Sequence, residues 1–159
     1  MTTIVYRDGI IAADTQISYD EELLKFNETK IVQTKQGDII AGRGSCCGCD
    51  LFLAWYTKSN GEWKAKHGEF PFTQVIQPDD DFTCLVATKD GKLKLYDFYL
   101  NEREINLKDF FAVGTGAKAA YGALEMGATA NQSVKVAMKY DLYSGGKVEY
   151  RQIPKYKKQ

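Results

Sequence analysis

The chain has 159 residues, 44% of them apolar and 26% charged, with 21 Lys plus Arg balanced by 21 Asp plus Glu. This length suits one domain over 1–159 with a buried core. The neutral balance gives no electrostatic reason to expect nucleic acid or an anionic membrane as partner, and no apolar run approaches the roughly 20 residues of a membrane-spanning helix. The opening MTTIVYRDG lacks the order of charged, apolar and cleavage segments that marks a signal peptide. Of the four cysteines, Cys46, Cys47 and Cys49 crowd together and Cys84 stands apart. Such spacing predicts free thiols in a reducing compartment, the cytoplasm.

Thr3 to Arg7 and Ile10 to Ala13 are β-rich, with Asp8-Gly9 as a hairpin turn between them. A second hairpin runs from Lys30 to Thr34, turns around Gln36-Gly37-Asp38 and returns over Ile39 to Ala41. Gly42-Arg43-Gly44-Ser45 breaks the strand pattern. Gly48, Leu51, Phe52 and Trp55 then recur at helical spacing as far as Ser59-Asn60-Gly61, with Ser45 as N-cap. Glu62 to Asp81, with Pro71, Pro78 and three consecutive aspartates, reads as a loop-rich connection. A third hairpin spans Thr83 to Thr88 and Lys92 to Leu100 around Asp90-Gly91.

Phe110 to Val113 is a short strand leading into Gly114-Thr115-Gly116. A small-residue helix follows, with Ala117, Ala120, Tyr121 and Leu124, and ends near Gly127. Thr129-Ala130-Asn131-Gln132 has capping-box form and opens a helix with Val134, Ala137, Met138 and Leu142 on one face. That helix stops at Gly145-Gly146, and Lys147 to Ile153 is a last strand. The basic tail Lys155, Lys157 and Lys158 reads as a solvated end. Two antiparallel sheets with helices outside would bury these elements, a layered α+β architecture.

A catalytic device built on histidine would rest entirely on His67, the only one in the sequence. An N-terminal nucleophile needs none, because an α-amine titrating near roughly 7.7–8.0 can take the hydroxyl proton of its own residue. Such chemistry calls for a nearby ammonium, a carboxylate to hold it, and backbone N–H groups at a glycine turn for the oxyanion. Removal of Met1, favoured by the small residue after it, would expose Thr2. Asp14 follows an apolar strand, Lys30 opens the second hairpin, and Gly44 sits where strand becomes helix. Taken singly, Thr2 and Thr3 are strand formers, Asp14 a turn residue and Lys30 a solvated charge; only their combination points to catalysis.

The opening TTIVYRDGIIAADTQIS resembles the start of proteasome β-type subunits and of the related bacterial double-ring peptidase, with Thr2, Asp14 and Lys30 on that family's positions. Gly44 falls on its oxyanion-hole glycine. VGTGAKAAYGALE is similar to its Gly-Ser-Gly strand-to-helix segment, with Thr115 in place of serine, and KYDLYSGGKVEY to its closing Asp-x-x-Ser-Gly-Gly motif. The resemblance implies the four-layer αββα sandwich of N-terminal nucleophile hydrolases and a threonine endopeptidase acting on unfolded polypeptide. It also implies that Asp141, Ser144 and Thr115 order the Thr2 amine, and that Ile17, Gly42 and Cys46 line the pocket for the residue before the cut. No cofactor or metal is implied. Assembly of copies into a homo-oligomeric ring is implied, and relatives add an ATP-dependent unfoldase. Glu62 to Asp81 is too short for the second long helix that supports ring contacts in relatives.

Other readings stay open. An inactive relative would keep the fold as a scaffold, and a related enzyme would hydrolyse a small amide. Gly44 to Gly48 has the Gly-x-Cys-x-Gly form of a nucleophile elbow with cysteine as attacking group, which would need His67. Gly114-Thr115-Gly116 could bind phosphate at a helix N-terminus. A cluster of Cys46, Cys47, Cys49 and Cys84 lacks the Cys-x-x-Cys pairs of common metal sites, and small residues packing a helix start explain it.

Overall fold

Asp8 and Gly9 take the positive φ values, 49° and 76°, that a tight hairpin demands. They join strand β1 (Thr3–Arg7) to β2 (Ile10–Asp14), with Ile4 opposite Ala13 and Arg7 opposite Ile10. The computed structural model describes residues 2–19, 22–25, 27–59, 81–106, 110–154 and 156. Met1, His67, nearly all of the Glu62 to Asp81 connection and Lys155, Lys157 and Lys158 lie outside the described residues. No helix among the described residues is long and apolar enough to cross a membrane.

After the first hairpin come β3 (Ile17–Tyr19), β4 (Glu22–Lys25), β5 (Ile31–Gln33), β6 (Ile39–Gly44) and helix α1 (Cys46–Ser59). Then follow β7 (Phe82–Ala87), β8 (Leu93–Tyr96), β9 (Glu102–Ile105) and β10 (Phe111–Gly114). Helices α2 (Ala117–Glu125) and α3 (Ala130–Tyr140) precede the last strand, β11 (Val148–Gln152). One antiparallel sheet has the order β10-β1-β2-β11 and the other β5-β6-β7-β8-β9, with β3 and β4 as a separate ribbon.

Alternation along the strands sorts side chains into layers. Ile4, Tyr6, Ile11 and Ala13 of the first sheet meet Ile31, Ile39, Leu85 and Leu93 of the second between the sheets. Val5 and Ala12 point the other way, onto Leu124, Val134 and Ala137 of α2 and α3. On the far side Ile40, Cys84, Val86 and Tyr96 pack beneath Phe52 and Tyr56 of α1. The stack is therefore helix, sheet, sheet, helix.

Four expectations change. Gly42-Arg43-Gly44 does not break the strand: β6 continues through it, Gly42 opposite Cys84 and Gly44 opposite Phe82. Glycine weakens a strand in isolation, but here it lets α1 approach closely. The third hairpin is shorter than expected, because the chain turns at Asp97 to Leu100 and returns as β9. The β3–β4 ribbon was not anticipated either. Leu142, expected on the buried face of α3, is 88% exposed, since the helix ends at Tyr140 and Asp141 turns extended (φ −104°, ψ 119°). The capping box is present: the Gln132 N–H donates to Thr129 Oγ1, and the Thr129 N–H donates to Gln132 Oε1 at 2.9 Å. Ser45 caps α1 as expected, its Oγ accepting from the Gly48 N–H at 3.2 Å.

Phe52 is fully buried, with its ring 5.1 Å from Tyr96 and 5.3 Å from Trp55. Phe52→Ala would empty the centre of this aromatic layer, and urea unfolding should show a loss of about 3–5 kcal/mol. A loss below about 1 kcal/mol would contradict this packing.

Candidate active site

The register of the first hairpin decides where the chemistry sits. Asp14 ends β2 beside Thr3, so its carboxylate faces the start of β1. Asp14 Oδ1 accepts from the Thr3 N–H at 2.9 Å and from the Thr2 hydroxyl at 2.6 Å. Its Oδ2 accepts from the N–H groups of Gln16 (3.2 Å) and Gly145 (3.0 Å). Asp14 is fully buried, and this ring of donors is what a buried carboxylate requires.

Lys30, just before β5 on the second sheet, brings the opposite charge. Its Nζ lies 3.1 Å and 3.2 Å from the two Asp14 oxygens and donates to Thr2 Oγ1. Only 6% of the Lys30 side chain is exposed. Burial pushes its pKa below the ordinary lysine value, and Asp14 opposes that shift. The backbone of Lys30 is held from the other sheet: Glu149 on β11 accepts from the N–H groups of Lys30 and, at 3.0 Å, of Ile31. Burial pushes the Glu149 carboxyl above its usual range, while the two N–H bonds pull it back.

A second chain of hydroxyls flanks the first. Asp141 Oδ2 accepts from Thr115 Oγ1 at 2.6 Å and from Ser144 Oγ at 2.5 Å, and Ser144 Oγ is 2.6 Å from Thr3 Oγ1. Thr115, Asp141 and Ser144 thus reach residue 2 through Thr3, its neighbour. Gly114 allows this approach: it has φ +109°, and the Thr115 N–H donates to the Thr2 carbonyl at 3.0 Å. A Cβ on Gly116 would collide with Thr3 Oγ1.

Thr2 opens onto a cavity of about 160 Å³. Lys30, Ile17, Gly42, Gly44 and Cys46 line it as well. The fold therefore gathers Thr2, Asp14 and Lys30 into one cluster, puts Ile17, Gly42, Gly44 and Cys46 around the adjoining cavity, and sets Thr115, Asp141 and Ser144 behind it. Thr3 and Glu149 were missed. Thr3 has the look of an ordinary strand residue, and its role depends on facing Ser144, 141 positions away. The signal for Glu149 would have been a carboxylate on β11 opposite Ala13. Cys46 and Cys47 are exposed free thiols at the start of α1.

The lowered Lys30 pKa has a sign that can be tested. Between the folded and unfolded lysine values the unfolded chain binds more protons, so stability rises with pH across that window, and Lys30→Met should remove this rise. Side-chain NMR should place the Lys30 inflection below those of the exposed lysines. Asp14→Asn, which removes the opposing charge, should lower it further; an inflection that moves up would contradict the arrangement.

No family model matches the chain, and no curated protein matches it. Solved structures do. Thiobacillus denitrificans BPH is 22% identical, with 97% of this chain and 98% of that one aligned and a TM-score of 0.64. The same protein in complex with epoxomicin is 20% identical over 96% and 98% of the two chains, at a TM-score of 0.65. Eukaryotic HslV from Trypanosoma brucei is 15% identical over 94% and 97%, at 0.70. Together with the layers described above, these likenesses show that the chain shares the fold of those structures, a four-layer αββα sandwich with two antiparallel sheets between helix layers.

Proposed function

We propose that the chain is a threonine endopeptidase whose nucleophile is Thr2 Oγ, acting once Met1 has been removed. The observation that carries this reading is the contact of the Thr2 hydroxyl with a buried Lys30–Asp14 pair at the mouth of a cavity. While a residue precedes Thr2, its nitrogen is an amide and cannot accept a proton. Freed, it is an amine with a large neutral fraction near neutral pH.

In this mechanism the amine takes the hydroxyl proton as Thr2 Oγ attacks the scissile carbonyl. The Lys30 ammonium favours the alkoxide, Asp14 orients Lys30, and the Gly44 N–H receives the oxyanion. The amine then protonates the departing nitrogen, leaving an acyl ester on Thr2 that water hydrolyses. Asp141, Ser144 and Thr115 hold the terminus in place through Thr3. Ile17, Gly42 and Cys46 surround the side chain preceding the cut. The substrate is unfolded polypeptide, and copies of the chain assemble into a ring that restricts access. Four free thiols suit a reducing compartment, the cytoplasm.

Three measurements test this reading. Mass spectrometry of the purified N-terminus should find Thr2 first. Epoxomicin, bound by the Thiobacillus BPH structure, should form an adduct on Thr2. Thr2→Ala should abolish that adduct and lower peptide hydrolysis by roughly 10⁴-fold or more. Retained Met1 with no turnover would favour an inactive scaffold. Cleavage of small amides but not peptides would favour an amidohydrolase, and full turnover by Thr2→Ala would exclude the threonine mechanism.

A further inference from the structure

Two sulfurs meet in the wall of the Thr2 cavity, and the mechanism above uses neither. Cys49 lies on the first turns of α1 and Cys84 in the middle of β7, opposite Gly42 of β6. A Cβ placed on Gly42 would fall 2.6 Å from Cys49 Sγ and 3.5 Å from Cys84 Sγ. Because residue 42 has no side chain, the two thiols share the space above it. Cys49 Sγ also lies 3.5 Å from the Arg43 carbonyl oxygen. Both cysteines are free and both line the cavity; Cys84 is fully buried and Cys49 partly exposed.

We propose that Cys49 and Cys84 form a peroxide-reactive dithiol, in which hydrogen peroxide oxidises Cys49 and Cys84 then closes a disulfide. The electrons balance with peroxide as the oxidant. The Cys49 thiolate attacks one peroxide oxygen, the O–O bond breaks, and hydroxide leaves from a sulfenic acid on Cys49. Cys84 then attacks Cys49 Sγ, the S–OH bond breaks, and its thiol proton leaves with the hydroxyl group as water. Two thiols and one peroxide give one disulfide and two waters.

The surroundings divide these roles. A hydrogen bond from Cys84 holds the Cys49 thiol below its ordinary pKa, whereas burial pushes Cys84 well above. Cys49 is therefore the attacking thiolate and Cys84 the resolving thiol. The cavity that both thiols line gives a small oxidant such as hydrogen peroxide access to Cys49, which is partly exposed.

Closure ties α1 to β7 and takes Cys49 Sγ away from the Arg43 carbonyl, so the cavity is held in one shape. An effect on peptide turnover rests on the reading in the preceding subsection; the disulfide itself does not. The test therefore reads sulfur chemistry. The variant C46S/C47S removes the exposed thiols, and a thermal melt checks that it folds. Treated with hydrogen peroxide, it should lose two hydrogens in mass, yield a linked pair of peptides carrying Cys49 and Cys84, melt at a higher temperature and revert with dithiothreitol. Adding Cys84→Ala should abolish the link and leave a Cys49 sulfenic acid that a cyclic diketone traps. Finding both thiols still alkylatable, or Cys49 oxidised to sulfinic acid beside a free Cys84, would overturn the proposal. Neither result depends on whether Thr2 catalyses.

Discussion

A buried ion pair organises this protein. Lys30 from one sheet and Asp14 from the other meet where Thr2 enters β1. Removing two charges from water costs several kcal/mol per ion, and the cost is offset only by close contact and further hydrogen bonds. Asp14 collects those bonds from Thr2, Thr3, Gln16 and Gly145. The requirement extends outward. The Gly145-Gly146 turn must dock on Thr15 and Gln16, which it does through the bond from the Thr15 N–H to the Gly145 carbonyl. Glu149 must hold the backbone of Lys30 from across the sheet interface. Residues from both ends of the sequence thus converge to make one carboxylate and one ammonium tolerable in the interior.

The same convergence gives the proposed chemistry its logic. An isolated buried lysine loses its charge readily, and burial does push Lys30 in that direction. Asp14 opposes that shift, and in the proposed reaction the Lys30 ammonium favours the alkoxide at Thr2. The second hydroxyl chain, from Thr115 through Asp141 and Ser144 to Thr3, fixes the residue next to Thr2. The two networks meet at Asp14, which also accepts from the N–H groups of Thr3 and Gly145.

What the sequence disclosed follows physical range. The Asp8-Gly9 turn and the Thr129–Gln132 capping box were legible because each is decided within four residues. The order of Thr2, Asp14, Lys30 and Gly44 was legible as a family pattern. β9 was not, because Glu102-Arg103-Glu104 offers no hydrophobic alternation. That strand pairs with β8 at the sheet edge, with Lys94 and Glu102 3.0 Å apart and Lys92 and Glu104 3.6 Å apart across the ladder. Gly42 to Gly44 misled because glycine signals a break locally, whereas the close approach of Cys49 requires it in three dimensions. Thr3, Glu149 and the meeting of Cys49 with Cys84 depend on distant partners, and no local pattern announces them.

The site requires Lys30 and Asp14 to act as one unit inside the protein. A double-mutant cycle with Lys30→Met and Asp14→Asn, read by urea unfolding, measures this directly. Each single variant leaves one buried charge without its counter-charge, and the double variant removes both charges. The double variant should be more stable than the two single losses added together would allow, by at least about 1 kcal/mol. Strict additivity of the two losses would mean that the charges do not support each other, and would contradict that requirement.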